Sequence, residues 1–124
     1  MEELARIQIE TGRSAVVAQI SGEVDISNVG AIKSRLTDSV PSSAPGLVVD
    51  VSDTGYLDSS GVYLLFELAR ALEGRGQRLS VVAPPTAPST RVLLITGLDR
   101  MVPLTSTLEE AVAKIETPAP SPST

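Results

Sequence analysis

A chain of 124 residues is long enough for one domain with one hydrophobic core and too short for two such domains. Its 15 acidic and 10 basic residues give a net charge of -5, and the basic residues are scattered, which argues against direct nucleic-acid binding. The absence of cysteine and histidine excludes disulfides, thiol catalysis, Cys/His zinc sites and a Ser-His catalytic pair.

The chain opens with the pattern of a β-hairpin. Residues 4–10 and 15–20 are rich in β-forming side chains that alternate imperfectly, and the letters TGR between them favour a turn. Ser21 and Gly22 are expected to end the second strand, because both residue types favour turns. The letters EVD at 23–25 are then expected to form an acidic loop.

Two helices and a buried strand are predicted in the middle of the chain. The first helix has Ser27 or Asn28 as its cap, and its apolar residues recur at helical spacing. Four of the five residues at 47–51 are apolar, which is typical of a strand covered on both faces. Residues 52–60 are predicted as a loop, and a second helix is predicted over residues 61–73.

The last third of the chain predicts two strands and two helices. The strands are residues 79–83 and a short edge strand at 101–104, and a helix capped by Ser89 lies between them. Thr107 and Glu110 have the spacing of a capping box at the start of the last helix. This order predicts an α/β fold, in which a mixed sheet of four to five strands is covered by about four helices.

The ends of the chain indicate its domain limits and its location. The N-terminal letters MEEL lack a signal-peptide core, and no apolar run approaches the ~20 residues that a membrane span needs. We therefore expect a cytoplasmic protein without membrane insertion. Residues 117–124 are rich in proline, serine and threonine, which predicts a disordered tail after one domain at residues 1–116.

The letters DSSG at 58–61 mark the candidate functional site. Asp58, Ser59 and Ser60 are all favoured helix caps, so capping alone is one interpretation of this segment. A helix N-terminus also tolerates an anion, because its free N–H groups and its dipole favour negative charge. The residues themselves therefore predict an anion-tolerant site at the start of a helix.

Three stretches of the chain resemble the STAS domain of anti-sigma factor antagonists. They are ISGEVD at 20–25, VDVSDTGYLDSSG at 49–61 and LITGLD at 94–99, and the match runs in register from about residue 4 to residue 115. The first resembles the family's G-E-[LV]-D segment, the second its strand-loop-helix core ending in D-S-S-G, and the third the end of its third helix. The resemblance implies the STAS fold.

The resemblance also implies a protein-binding switch. In that family the unmodified antagonist binds an anti-sigma factor that is also a serine kinase, and so frees a sigma factor. The kinase ends the complex by phosphorylating the serine directly after the Asp of D-S-S-G, and a separate serine phosphatase resets it. For this chain the implied acceptor is Ser59, its acidic neighbour is Asp58, and Glu23 and Asp25 are the implied partner-contacting loop residues. We add Ser60, Gly61 and Tyr63 to the predicted partner-binding residues, because we expect the partner to contact the N-terminal half of the second helix and Tyr63 to be exposed there.

Other interpretations stay open at this point. A STAS module without phosphorylation would suit a subunit of a membrane lipid transporter or a signalling scaffold. Asp50 at the end of a strand is compatible with a receiver domain or an acidic metal site, although Asp50 and Ser52 more simply organise the loop by hydrogen bonds. Glu23 and Asp25 are equally compatible with solvated loop charges. We predict no enzyme, metal or cofactor, because a serine without a base is not an activated nucleophile.

Overall fold

The computed structural model describes residues 4–11 and 14–116. The predicted tail at 117–124 and most of the predicted hairpin turn lie outside the described residues. The strands and helices in chain order are β1 (Ala5–Glu10), β2 (Val16–Val24), α1 (Val29–Asp38), β3 (Gly46–Asp50), β4 (Thr54–Leu57), α2 (Ser59–Gly74), β5 (Arg78–Val82), α3 (Thr90–Ile95), β6 (Leu104–Thr105) and α4 (Leu108–Glu116). Within the described ranges, no helix is both long enough and apolar enough to cross a membrane.

The strands form one mixed sheet with the order β1-β2-β3-β5-β6, and β4 pairs with β2 off this path. Strands β1 and β2 are antiparallel, as the hairpin pattern predicted, and the other pairs are parallel. The α/β class and the mixed sheet are therefore confirmed. The sheet has six strands rather than four to five, because residues 54–57 form β4 where a loop was predicted.

The sheet separates two apolar cores, because successive residues of a strand point to opposite faces. On one face Val16 belongs to a core that includes Leu36 of α1 and Leu68 of α2, and α3 contributes to the same core. On the other face Val17 belongs to a smaller core that includes Ile115 of α4. Strand β2 thus lies between two layers of helices, and its C-terminal end reaches the edge where α1 and α2 begin.

Strand β2 extends further than its hydrophobic pattern predicted. It pairs with β3 over residues 16–19 and with β4 over residues 22–24, and its register shifts just after Gly22. Gly22 has φ +97°, and a Cβ atom there would lie only 2.2 Å from the carbonyl oxygen of Leu4. Glycine tolerates this conformation, so Gly22 carries the strand onward instead of ending it. Glu23 consequently lies in a strand and not in the predicted loop.

The close approach at Gly22 predicts a large cost for any side chain at that position. We expect Gly22→Ala to lower the free energy of unfolding by about 1–3 kcal/mol, because the left-handed φ and the contact with Leu4 add strain. Gly30→Ala is the matched control, since a Cβ atom at this exposed helical position meets nothing within 4 Å. It should be neutral or stabilising by about 0.4–1 kcal/mol. Urea unfolding measures both, and equal stabilities for the two variants would contradict the prediction.

Candidate functional site

The side chain of Asp58 caps the N-terminus of α2. Its Oδ1 atom accepts hydrogen bonds from the backbone N–H of Ser60 at 2.9 Å and from that of Gly61 at 3.2 Å. The hydroxyl of Ser60 donates to the same oxygen atom. Helix α2 therefore begins at Ser59, two residues before the predicted start, because the first of the three candidate caps is the one used.

The two serines of the DSSG segment differ in what their hydroxyl groups do. Ser60 is half-buried, and its hydroxyl is engaged by Asp58. Ser59 is the first residue of α2 and is exposed, and its hydroxyl forms no hydrogen bond with any described residue. Physical reasoning from the sequence could not decide which of the two adjacent serines has the free hydroxyl. Of the two residues, Ser59 is therefore the more exposed to a reagent from solution.

The pKa of the Asp58 carboxyl is lowered from its ordinary value of 3.8. The hydrogen bond from the Ser60 hydroxyl is the main cause, and desolvation opposes it. The backbone N–H groups of Gly61, Ser60 and Ile26 lower the pKa further. Asp58 is therefore ionised at neutral pH, and its negative charge lies directly before Ser59.

The loop between β2 and α1 is ordered by its own polar side chains. Asp25 is half-buried, and its Oδ1 atom accepts a hydrogen bond from the backbone N–H of Ser27 at 2.8 Å. The Asn28 side chain accepts from the N–H of Asp25 at 3.0 Å and donates to the carbonyl oxygen of Glu23 at 2.8 Å. Asp25 and Asn28 thus shape the loop, whereas the Glu23 side chain is exposed.

The loop and the start of α2 lie against each other. The backbone N–H of Asp58 donates to the carbonyl oxygen of Val24 at 3.3 Å. The backbone N–H of Ile26 faces the Asp58 carboxylate and helps to lower its pKa. Gly61 is buried, and a Cβ atom there would lie 2.5 Å from Cδ1 of Leu57. Gly61 therefore contributes close packing of α2 against β4, and it presents no side chain to a partner.

Two buried hydroxyl groups form hydrogen bonds at the start of β4. The Thr54 hydroxyl donates to the carbonyl oxygen of Ile20 at 2.7 Å, and the Ser89 hydroxyl donates to the carbonyl oxygen of Thr54 at 2.9 Å. Ser89 precedes α3 as predicted, but its hydroxyl supports β4 instead of capping the helix. Asp50 accepts hydrogen bonds from the N–H and hydroxyl of Ser52, which is the loop-organising role predicted for it.

Several exposed side chains belong to the elements that meet near the start of α2, and we call this group the Ser59 surface. Tyr63 lies four residues after Ser59 and so on the same face of α2, with 59% of its area exposed. Tyr56 is 50% exposed and pairs with Glu23 across β4 and β2. Ile26 is 76% exposed in the adjoining loop. The Ser59 surface thus comprises Glu23, Ile26, Tyr56, Ser59 and Tyr63.

Two members of this surface were not predicted from the sequence. Tyr56 belongs to the strand that was interpreted as a loop, so the alternation that exposes it was not recognised. Ile26 is a large apolar residue in an otherwise polar loop, and that mismatch was the available signal. Among the residues that the structure describes, no group of three or more acidic side chains is arranged to hold a metal ion.

Known proteins resemble this chain along most of its length. A family model described as "Mlab, STAS domain" matches residues 7–104. The crystal structure of an anti-sigma factor antagonist from Mycobacterium paratuberculosis is 30% identical and superposes with a TM-score of 0.81, over 91% of this chain and 95% of that chain. Anti-sigma-F factor antagonist RsfB from Mycobacterium tuberculosis is 26% identical over 109 residues, which are 88% of each chain.

A further similar structure carries a modification. It is the Bacillus cell fate determinant SpoIIAA in its phosphorylated form, which is 26% identical to this chain. The two superpose with a TM-score of 0.65, over 90% of this chain and all of that one.

The hydrogen bond between the Ser60 hydroxyl and Asp58 predicts how the two serines affect the carboxyl. We expect Ser60→Ala to raise the pKa of Asp58 toward 3.8 and Ser59→Ala to leave it unchanged, as measured by carboxyl ¹³C NMR titration. In the wild type, the lowered pKa stabilises the folded state above pH 3.8, and this contribution is lost as the pH falls through the folded value. Ser60→Ala should therefore weaken that acid dependence. Equal effects of the two substitutions would contradict the assignment.

Proposed function

The chain belongs to the STAS domain family, and we propose that within this family it is an anti-sigma factor antagonist that releases a sigma factor. The observation that carries the proposal is the free hydroxyl of Ser59, exposed at the first residue of α2 directly after the ionised cap Asp58. The similarity to the antagonist from Mycobacterium paratuberculosis, which spans nearly all of both chains, supports the same role.

The proposed partner is an anti-sigma factor with serine kinase activity. It would contact the Ser59 surface together with Asp25 and Asp58, with Ser60 and Gly61 shaping the helix start beneath the contact. Tyr56 and Tyr63 supply aromatic groups of the kind that is enriched in the centres of protein interfaces. Glu23 and Asp58 make the surface acidic, so a complementary partner surface carries basic residues.

Phosphorylation of Ser59 is the proposed off-switch, and a serine phosphatase would reset it. The phosphate would lie on an exposed side chain at the first residue of α2, where the helix dipole favours an anion, while Asp58 keeps its hydrogen bonds from the N–H groups of Ser60 and Gly61. The fold therefore has no need to change when the phosphate is added. The similarity to SpoIIAA, which was solved in a phosphorylated form, supports this regulation.

The phosphate would destabilise the complex with the partner and would leave the fold of this chain unchanged. A phosphoserine adds about -1.5 to -2 charges at neutral pH, directly after the carboxylate of Asp58. Burying that charge against a partner without a new cation is unfavourable. A penalty of only about 3 kcal/mol weakens binding by more than about 100-fold. A single covalent event is therefore sufficient to separate the two proteins.

This mechanism predicts different effects of charge at two exposed serines. We expect Ser59→Ala to bind the anti-sigma factor as the wild type does and Ser59→Asp to bind at least about tenfold more weakly, a loss of about 1.4 kcal/mol. Ser34→Asp is the matched control, because it adds the same charge on the exposed side of α1 and should leave affinity unchanged. Calorimetry with the partner recovered by pull-down from the native cytoplasm measures all three affinities.

The same pull-down identifies the modified residue. Mass spectrometry should locate the phosphate on Ser59, whose hydroxyl is free, and not on Ser60, whose hydroxyl is engaged. A phosphate on Ser60, or wild-type affinity in Ser59→Asp, would overturn the proposed switch. An unphosphorylated Ser59 together with stable co-purification of membrane transporter subunits would favour the transporter alternative.

A further inference from the structure

A groove of about 360 Å³ runs between the start of β1 and one face of α1. Leu4 and Ile7 line it on the strand side, and Ala31 and Ile32 line it on the helix side. Its volume lies at the lower end of the range of roughly 300–1,000 Å³ that is typical of small-molecule sites. The middle of the groove is aliphatic, so it suits an apolar chain better than a polar metabolite.

The two ends of the groove differ in chemistry. Ser27 and Asn28 line the groove at the start of α1, and Arg35 lines it about two helical turns further along. Asn28, the cap position of α1, and Arg35 are seven residues apart, which corresponds to about 10 Å at 1.5 Å per residue. The side-chain amide of Asn28 already forms hydrogen bonds within the loop. Arg35 is the charged residue in the lining of the groove.

The guanidinium of Arg35 is available to a ligand. It is exposed at the groove, and its side chain forms no hydrogen bond or ion pair with the residues described at 4–11 and 14–116. The basic neighbour Lys33 is different, because it is paired with Glu67 at 3.2 Å. A guanidinium binds a carboxylate through two parallel hydrogen bonds, which distinguishes it from a simple point charge.

We propose that this groove binds a small anionic amphiphile, with its carboxylate at Arg35 and its aliphatic chain between β1 and α1. The chain would lie over Ile7, Ala31 and Ile32 and would displace water from their apolar surfaces. Its far end would reach Ser27, which belongs to the loop beside the Ser59 surface. The groove is a separate site from the Ser59 surface, and ligand binding there requires neither phosphorylation nor an anti-sigma factor.

Sodium decanoate below its micellar concentration is a suitable probe for the full chain. In ¹H–¹⁵N NMR titrations we expect saturable shifts confined to residues 4–7 and 27–35. Decanol, which keeps the chain without the charge, and acetate, which keeps the charge without the chain, should each bind at least tenfold more weakly. Equal binding of decanol, or shifts that do not saturate or lie elsewhere, would overturn the proposal.

Two pairs of variants test the groove without disturbing the core. Arg35→Gln should weaken decanoate binding at least tenfold, whereas Arg70→Gln, an exposed arginine on α2, should not change it. Ala31→Leu should fill the groove and weaken binding, whereas Ser34→Leu adds the same side chain on α1 outside the groove and should not. Far-ultraviolet circular dichroism verifies that each variant is folded. Unchanged affinity in Arg35→Gln or in Ala31→Leu would reject the site.

Discussion

The left-handed backbone of Gly22 is the constraint on which the site depends. Strand β3 ends at Asp50, which pairs with Gln19 of β2. Beyond this pair, the parallel partner of β2 is β4, which β2 reaches by continuing past Gly22. The carbonyl oxygen of Leu4 occupies the space that a Cβ atom would need, so only glycine allows the continuation. Pairing with β4 then places Leu57 beside Val24, and α2 begins immediately afterwards.

The carboxylate of Asp58 turns this arrangement into a defined site. It engages the Ser60 hydroxyl and the first free N–H groups of α2, while the N–H of Ile26 approaches it from the loop. Capping and the proposed regulation are compatible interpretations of the DSSG letters, and the structure shows the capping. The cap engages one serine and leaves the other exposed, so the residue that stabilises the helix also determines which hydroxyl is accessible.

The sequence predicted the elements that are governed by local periodicity. The amphipathic helices, the buried run at 47–51 and the capping box at Thr107 and Glu110 all depend on residues that are close in the chain. It did not predict β4, because a four-residue strand containing Gly55 is stabilised by pairing with β2, which is distant in sequence. The family resemblance supplied Ser59 as the implied acceptor, whereas physical reasoning alone could not choose among three adjacent caps.

Polar side chains were harder to place than apolar ones, for a physical reason. A leucine at helical spacing has one favourable environment, but a serine or aspartate finds hydrogen-bond partners in several local conformations. Ser89 illustrates this: it precedes a helix as predicted, yet its hydroxyl supports the carbonyl oxygen of Thr54 in β4. Glu23 was assigned to a loop because Ser21 and Gly22 were expected to end the strand, and the long-range pairing of β2 with β4 places it in a strand.

The packing and hydrogen bonds near the helix start bear on how a charge at Ser59 would act. Gly61 packs directly on Leu57, and buried hydroxyl bonds hold the start of β4. The Ser59 hydroxyl takes no part in these contacts. A phosphate on that hydroxyl would therefore leave the contacts intact and would change only the surface that a partner touches. A ligand in the groove between β1 and α1 would act differently, since it would touch Ser27 and therefore the loop whose Ile26 N–H faces Asp58. The proposed phosphate and the proposed amphiphile would thus reach the same surface through separate physical routes, one through charge and the other through packing.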